Sequence, residues 1–118
     1  MNRVILESPF AGNVELNIEY ARLCIKDCLD QGDAPIASHL LFTQPGVLDD
    51  NNKEQRKLGI EAGHQWIRVA DKVVVYADFG VSEGMKLGIK RAEDAQVDVE
   101  YRQLPYSRME LLRSKFHF

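Results

Sequence analysis

The chain has no apolar run near the roughly 20 residues that a membrane-crossing helix needs. Its amino terminus, Met1-Asn2-Arg3 followed only by Val4-Ile5-Leu6, lacks the apolar length and the small-residue cleavage site of a secretory signal. A cytoplasmic location is therefore the expectation, with no membrane partner. Cysteine is scarce as well: Cys24 and Cys28 stand alone, four residues apart, without a nearby histidine or a second cysteine pair. That spacing puts both thiols on one face of a helix, where they read as a buried reduced pair rather than a disulfide framework or a metal site. No metal and no cofactor is expected. Charge of one sign is missing too, since 15 basic residues meet 18 acidic ones for a net charge of -3. Without a basic field, nucleic acid is a poor partner and a compact ligand a better one. Repeats, low-complexity stretches and linkers are absent, so residues 1–118 read as a single domain.

What is present alternates between two periods. Residues 2 to 6 form a short apolar strand, after which Val14, Ile18, Ala21, Ile25 and Cys28 recur at helical spacing, with Asn13 as cap and Gly32 as stop. Residues 34 to 41 read as a second strand, with Pro35 near its start. Asn51 with Glu54 resembles a capping pair, opening a helix to about Ala70 that buries Leu58, Ala62 and Trp66. Lys72 to Tyr76, with its run Val73-Val74-Val75, reads as a strand covered on both faces. The segment Phe79 to Gly84 breaks the pattern before Met85, Ile89 and Ala92 resume it, Val97 to Leu104 is a last strand, and Tyr106 to Phe116 a terminal helix. Strands alternating with helices imply right-handed crossovers and a parallel sheet. The expected fold is an α/β, flavodoxin-like (Rossmann-like) three-layer sandwich with a short parallel sheet in the order 2-1-3-4.

In that order the chain reverses direction between strands one and three, and ligands of open α/β sheets sit at this switch point. Two loops should line it. In the first, Ser8 offers a hydroxyl while Pro9 and Gly12 shape a turn whose backbone can approach a ligand, and Phe10 can cover a base or sugar. The second runs from Asp78 through Gly80, Ser82 and Gly84 to Met85, and the start of the following helix presents unpaired amides suited to phosphate. Glu83 would repel a phosphate there and can instead cap the helix. His39 follows strand two and reaches the pocket edge, in either a structural or a catalytic role. His64 and His117 show no triad or metal spacing, and Trp66 reads as core.

Three segments taken together carry a family likeness: Val4-Ile5-Leu6-Glu7-Ser8-Pro9-Phe10-Ala11-Gly12, Trp66-Ile67-Arg68-Val69-Ala70-Asp71 and Gly84-Met85-Lys86-Leu87-Gly88. In order and spacing they resemble the nucleoside 2-deoxyribosyltransferase-like superfamily over roughly residues 3 to 102. His39-Leu40-Leu41 and Leu48-Asp49-Asp50 echo its small, uncharacterised members, many of them encoded by phages. The resemblance implies a nucleoside or nucleotide ligand and a homo-oligomer. In active relatives a glutamate on the helix after strand three attacks the anomeric carbon, since a carboxylate matches a positive, oxocarbenium-like transition state. Here a match without gaps puts Lys86 at that position, and a match from Ser82 puts Gly88 there, while an upstream acid of some relatives corresponds to Gly63. None of these can attack. Glu83, Glu61, Asp78 and Glu7 remain as substitutes, with Glu83 the first candidate for a catalytic role, and Lys86 could pair with a phosphate. The expectation is therefore nucleotide binding without the usual glycosidic-bond chemistry, the alternative being an N-glycosidase or 2-deoxyribosyltransferase with a relocated carboxylate.

Overall fold

A computed structural model describes residues 1–118. Its four strands are β1 (Arg3–Glu7), β2 (Ala34–Ile36), β3 (Lys72–Tyr76) and β4 (Asp98–Arg102), all parallel in the order 2-1-3-4. Five helices join and cover them: α1 (Val14–Asp30), α2 (Ser38–Leu41), α3 (Lys53–Gln65), α4 (Glu83–Asp94) and α5 (Tyr106–Phe116). A single 3-10 turn, Ile67–Val69, leads into β3. The flavodoxin-like arrangement read from the alternation is the one present. No helix is long and apolar enough to cross a membrane.

The two-residue period of the strands sorts their side chains onto opposite faces. Val4 and Leu6 of β1 join Val74 and Tyr76 of β3 in one core, which α1 closes with Tyr20, Cys24 and Cys28 and α5 with Leu112. Ile5, Val73 and Val75 point the other way and meet Ile67, Met85 and Ala92. Both cysteines are free and buried, and burial pushes the Cys24 and Cys28 thiols above their ordinary range, so they behave as core residues.

Three local expectations need correction. The second strand stops at Ile36, and residues 38 to 41 form α2, with the Leu40 and Leu41 amides donating to the Ala37 carbonyl. An edge strand that pairs only with β1 and carries Pro35 has few ladder bonds to lose, so the chain turns into a helix early. The cap of α3 is Asn52 rather than Asn51, its side chain accepting from the Glu54 and Gln55 amides, while the Asn51 amide donates to Asp49. Most consequentially, α3 does not pack through Leu58 and Trp66, which are 59% and 54% exposed. It packs through its glycines. An added Cβ at Gly63 would lie 2.4 Å from Ser38 Oγ, and one at Gly59 would lie 3.1 Å from Leu48 Cδ1. A bare stripe at i and i+4 seats α3 on α2 and the Leu48 loop instead of on the sheet.

Candidate functional site

Because α3 rests on α2, a cavity of about 240 Å³ opens between these helices, the end of β1 and the start of α4. Glu7 ends β1 on the α4 side of the sheet, and its carboxyl occupies the space left by a missing side chain: a Cβ at Gly88 would lie 2.2 Å from its Oε1. It makes no hydrogen bond or ion pair with the protein, and burial alone pushes its pKa up to about 8. Glu7 is thus a neutral carboxylic acid near pH 7, able to donate one hydrogen bond and accept another.

Ser8, the next residue, is buried. Its Oγ shares a 2.7 Å hydrogen bond with His39 Nε2, and burial lowers the His39 pKa to about 4, leaving an uncharged imidazole at neutral pH. Thr43 donates to the His39 carbonyl at 2.6 Å and steadies the end of α2. The loop after β1 is fixed from α1, where Asn17 Nδ2 donates to the Phe10 and Ala11 carbonyls at 2.9 and 3.0 Å. Ser82 caps α4, its hydroxyl accepting from the Met85 amide. Phe10, Phe42, Leu48, Ile60 and Met85 supply apolar walls, and Asp50, Arg56 and Glu83 stand among the remaining lining groups. Together these features form a largely apolar chamber with neutral hydrogen-bonding groups from the sheet end, a pattern that suits a small uncharged ring system.

Of the residues singled out in the sequence, Ser8, Phe10, His39, Ser82, Glu83, Gly84 and Met85 line this one cavity. The ends of the first strand and of the loop after the third do share a cleft. Pro9, Gly12, Asp78, Gly80 and Lys86 do not line it. Gly12 and Gly80 hold positive φ angles of 101° and 82° in their turns, a backbone task that glycine performs without strain. Asp78 is engaged in the fold, accepting from Tyr20 Oη at 2.6 Å and from the Leu104 amide at 3.0 Å. Lys86 faces outward, 60% exposed and ion-paired with Glu83 at 3.0 Å, so its ammonium does not enter the cavity. Glu61 also lies outside and pairs with Arg91 at 2.9 Å.

The wall built by α2, the Leu48 loop and α3 escaped the sequence reading, which took residues 38 to 41 for strand and gave α3 to the core. Arg56, Asp50 and Ile60 enter through it. The signal was the glycine pair Gly59 and Gly63, spaced to leave one helix face bare. His64 also joins the wall. Its Nδ1 is buried without a partner, and its pKa is lowered by burial first and then by the Arg91 guanidinium. No group of three or more His, Cys, Asp or Glu side chains is arranged to hold a metal ion. A search of curated proteins finds no match. Residues 2–102, from before β1 to the end of β4, match the family described as a domain of unknown function, DUF7768, and the chain belongs to that family.

Proposed function

We propose that the cavity binds a nucleoside or a nucleotide-derived small molecule, and that binding rather than bond cleavage is its principal task. One observation carries this reading: at the switch point of the sheet, the neutral Glu7 carboxyl and the Ser8–His39 pair stand inside apolar walls that include Phe10 and Phe42. Neutral donors and acceptors in a desolvated chamber match the edge of a heterocyclic base, and aromatic walls match its faces. The resemblance to nucleoside 2-deoxyribosyltransferase-like proteins supports the same ligand class, in a cytoplasmic protein. A thermal-shift screen over nucleosides, nucleotides and cyclic nucleotides tests it. A ligand at 100 times its Kd stabilises the fold by about 2.7 kcal/mol. A raised Tm with at least one member is expected, and a flat response across the panel contradicts the reading.

A homo-oligomer is part of the proposal. Trp66 and Val69 are large apolar side chains left exposed just after α3, and a second copy of the chain would cover them. Light scattering should report at least two chains per particle.

A second reading is favoured by the contact between Glu7 and Gly88. With glycine at 88, a carboxyl reaches that point from β1 instead of from the helix. As a neutral acid Glu7 can protonate the leaving base while its C–N bond breaks and the electron pair moves to the base nitrogen. As the resulting carboxylate it can take a proton from the water that attacks the anomeric carbon. Release of free base by the parent protein, lost in Glu7→Gln, would establish this N-glycosidase activity over simple binding.

A further inference from the structure

Beyond the cavity, α3 and α4 border a second depression of about 290 Å³. Lys53, Arg56, Lys57 and Arg91 line it with His64, against a single carboxylate, Glu61. Arg91 is committed to Glu61, whereas Lys53, Arg56 and Lys57 have no ion pair. The spacing of positions 53, 56, 57, 60 and 64 brings them to one side of α3, at and after its amino-terminal end. In a chain of net charge -3 this is a local reversal of sign. The depression adjoins the cavity, and Arg56, Ile60 and His64 line both.

The cavity itself is a poor place for a phosphate. Arg56 is the one Lys or Arg in its lining and Asp50 stands with it, while the amino terminus of α4 carries Glu83, already paired with Lys86. It is also small, since about 240 Å³ falls below the roughly 300 Å³ at which sites for drug-sized ligands begin. A ligand that outgrows it must extend past its walls, and the wall formed by Arg56, Ile60 and His64 is shared with the cationic side of α3.

We propose that the depression between α3 and α4 is an anion subsite that takes the phosphate or polyphosphate arm of a nucleotide whose base and sugar occupy the cavity, with Lys53, Arg56 and Lys57 as the groups that meet it. The inference rests on the reading of the cavity given above and adds a ligand class to it: a phosphorylated rather than a neutral nucleoside. Lysine and arginine so placed would also draw the anion in from solution, making the interaction salt-dependent.

Calorimetry with adenosine, guanosine, cytidine and uridine, with their 5′-triphosphates and with inorganic tripolyphosphate tests it, on the parent and on a Lys53→Ser/Lys57→Ser double variant. Both lysines are exposed, so the variant should retain the parent's Tm without ligand. At low salt the preferred triphosphate should bind at least 10-fold tighter than its nucleoside, and in the double variant that ratio should fall to near one. Equal affinities in the parent, or a ratio that survives in the variant, would overturn the subsite. If tripolyphosphate binds the parent but not the variant while no nucleoside binds, the anion site stands and the cavity reading fails. If nothing binds, both fail.

Discussion

The two faces of the sheet are built from the same strands and end up in opposite states. On the face covered by α1 and α5, buried polar groups are paired: Tyr76 Oη donates to Asp27 at 2.6 Å, Arg102 to Asp33 at 2.9 Å, and Tyr20 to Asp78, while Arg108 Nη1, which makes no hydrogen bond, still faces the Asp27 carboxylate at 3.6 Å. Phe79 stacks edge-on between Tyr20 and Phe118, and Met109 and Phe116 pack against the same core, so the carboxyl-terminal segment closes over it. On the face shared by α3 and α4, Glu7 and His64 Nδ1 have no hydrogen-bond partner in the protein. Buried polar groups left unmatched cost about 1–3 kcal/mol each, a cost that a ligand can relieve. One face holds the fold together and the other keeps its hydrogen-bonding capacity for something else.

That contrast can be broken most sharply at Leu112, only 2% exposed in the closed core. Leu112→Ala should destabilise by roughly 4 kcal/mol through lost transfer energy and a residual cavity, read as a fall in the urea midpoint. Next comes Glu7. Its folded pKa of about 8 stands above its ordinary value, so the folded state holds a proton that the unfolded chain has released. The stability this contributes is complete below about pH 4.5 and is lost as pH rises through about 8. Glu7→Gln removes the dependence and should gain on the parent between pH 5 and pH 9, by roughly 3 kcal/mol at the upper end, as measured by urea unfolding across that range. His39 works in the reverse direction. Its lowered pKa makes the neutral form the stable one, so its contribution is complete above about pH 6.5 and lost as pH falls toward 4.

The glycines give smaller and more diagnostic effects. Gly63→Ala places a methyl 2.9 Å from Ser38 Cβ, close to the backbone of α2, and should cost about 1–2 kcal/mol in a thermal melt. Gly88→Ala meets only the mobile end of Glu7, and the higher helix propensity of alanine offsets the displacement. Stability should change by less than about 1 kcal/mol while the Glu7 carboxyl leaves its place and nucleoside binding falls in a calorimetric titration. Smallest of all, Leu58→Ala on the open face should stay within about 0.5 kcal/mol of the parent, and a loss comparable to that of Leu112→Ala would erase the distinction between the faces.

Much of the closed face was legible in the sequence, because it obeys simple periods. Val73-Val74-Val75 can only be a strand covered on both sides, and Cys24 with Cys28 declares one face of α1. The first strand and its loop were legible for the same reason, which brought Ser8 and Phe10 to the site. The open face was not. There, Leu58, Ala62 and Trp66 have helical spacing yet do not form the contact surface, since the glycines beside them permit a closer approach in another direction. Hydrophobic periodicity reports which side chains are apolar, not which face can come nearest, and a bare stripe wins where a short helix such as α2 is available to receive it. Glu7 stayed one acid among four because only the fold reveals Gly88 as the space that receives it.

The central claim is that the chamber bounded by Ser8, His39 and the start of α4 is where a nucleoside-type ligand sits. Amide chemical-shift mapping by two-dimensional NMR, during titration with the strongest nucleoside or nucleotide from the thermal screen, tests it most directly. The account predicts saturable shifts confined to Glu7–Ala11, residues 38–43, the cavity side of α3 and Ser82–Met85, with the α1 and α5 amides unmoved. Shifts centred on α1 and α5, or scattered without saturation, would contradict it.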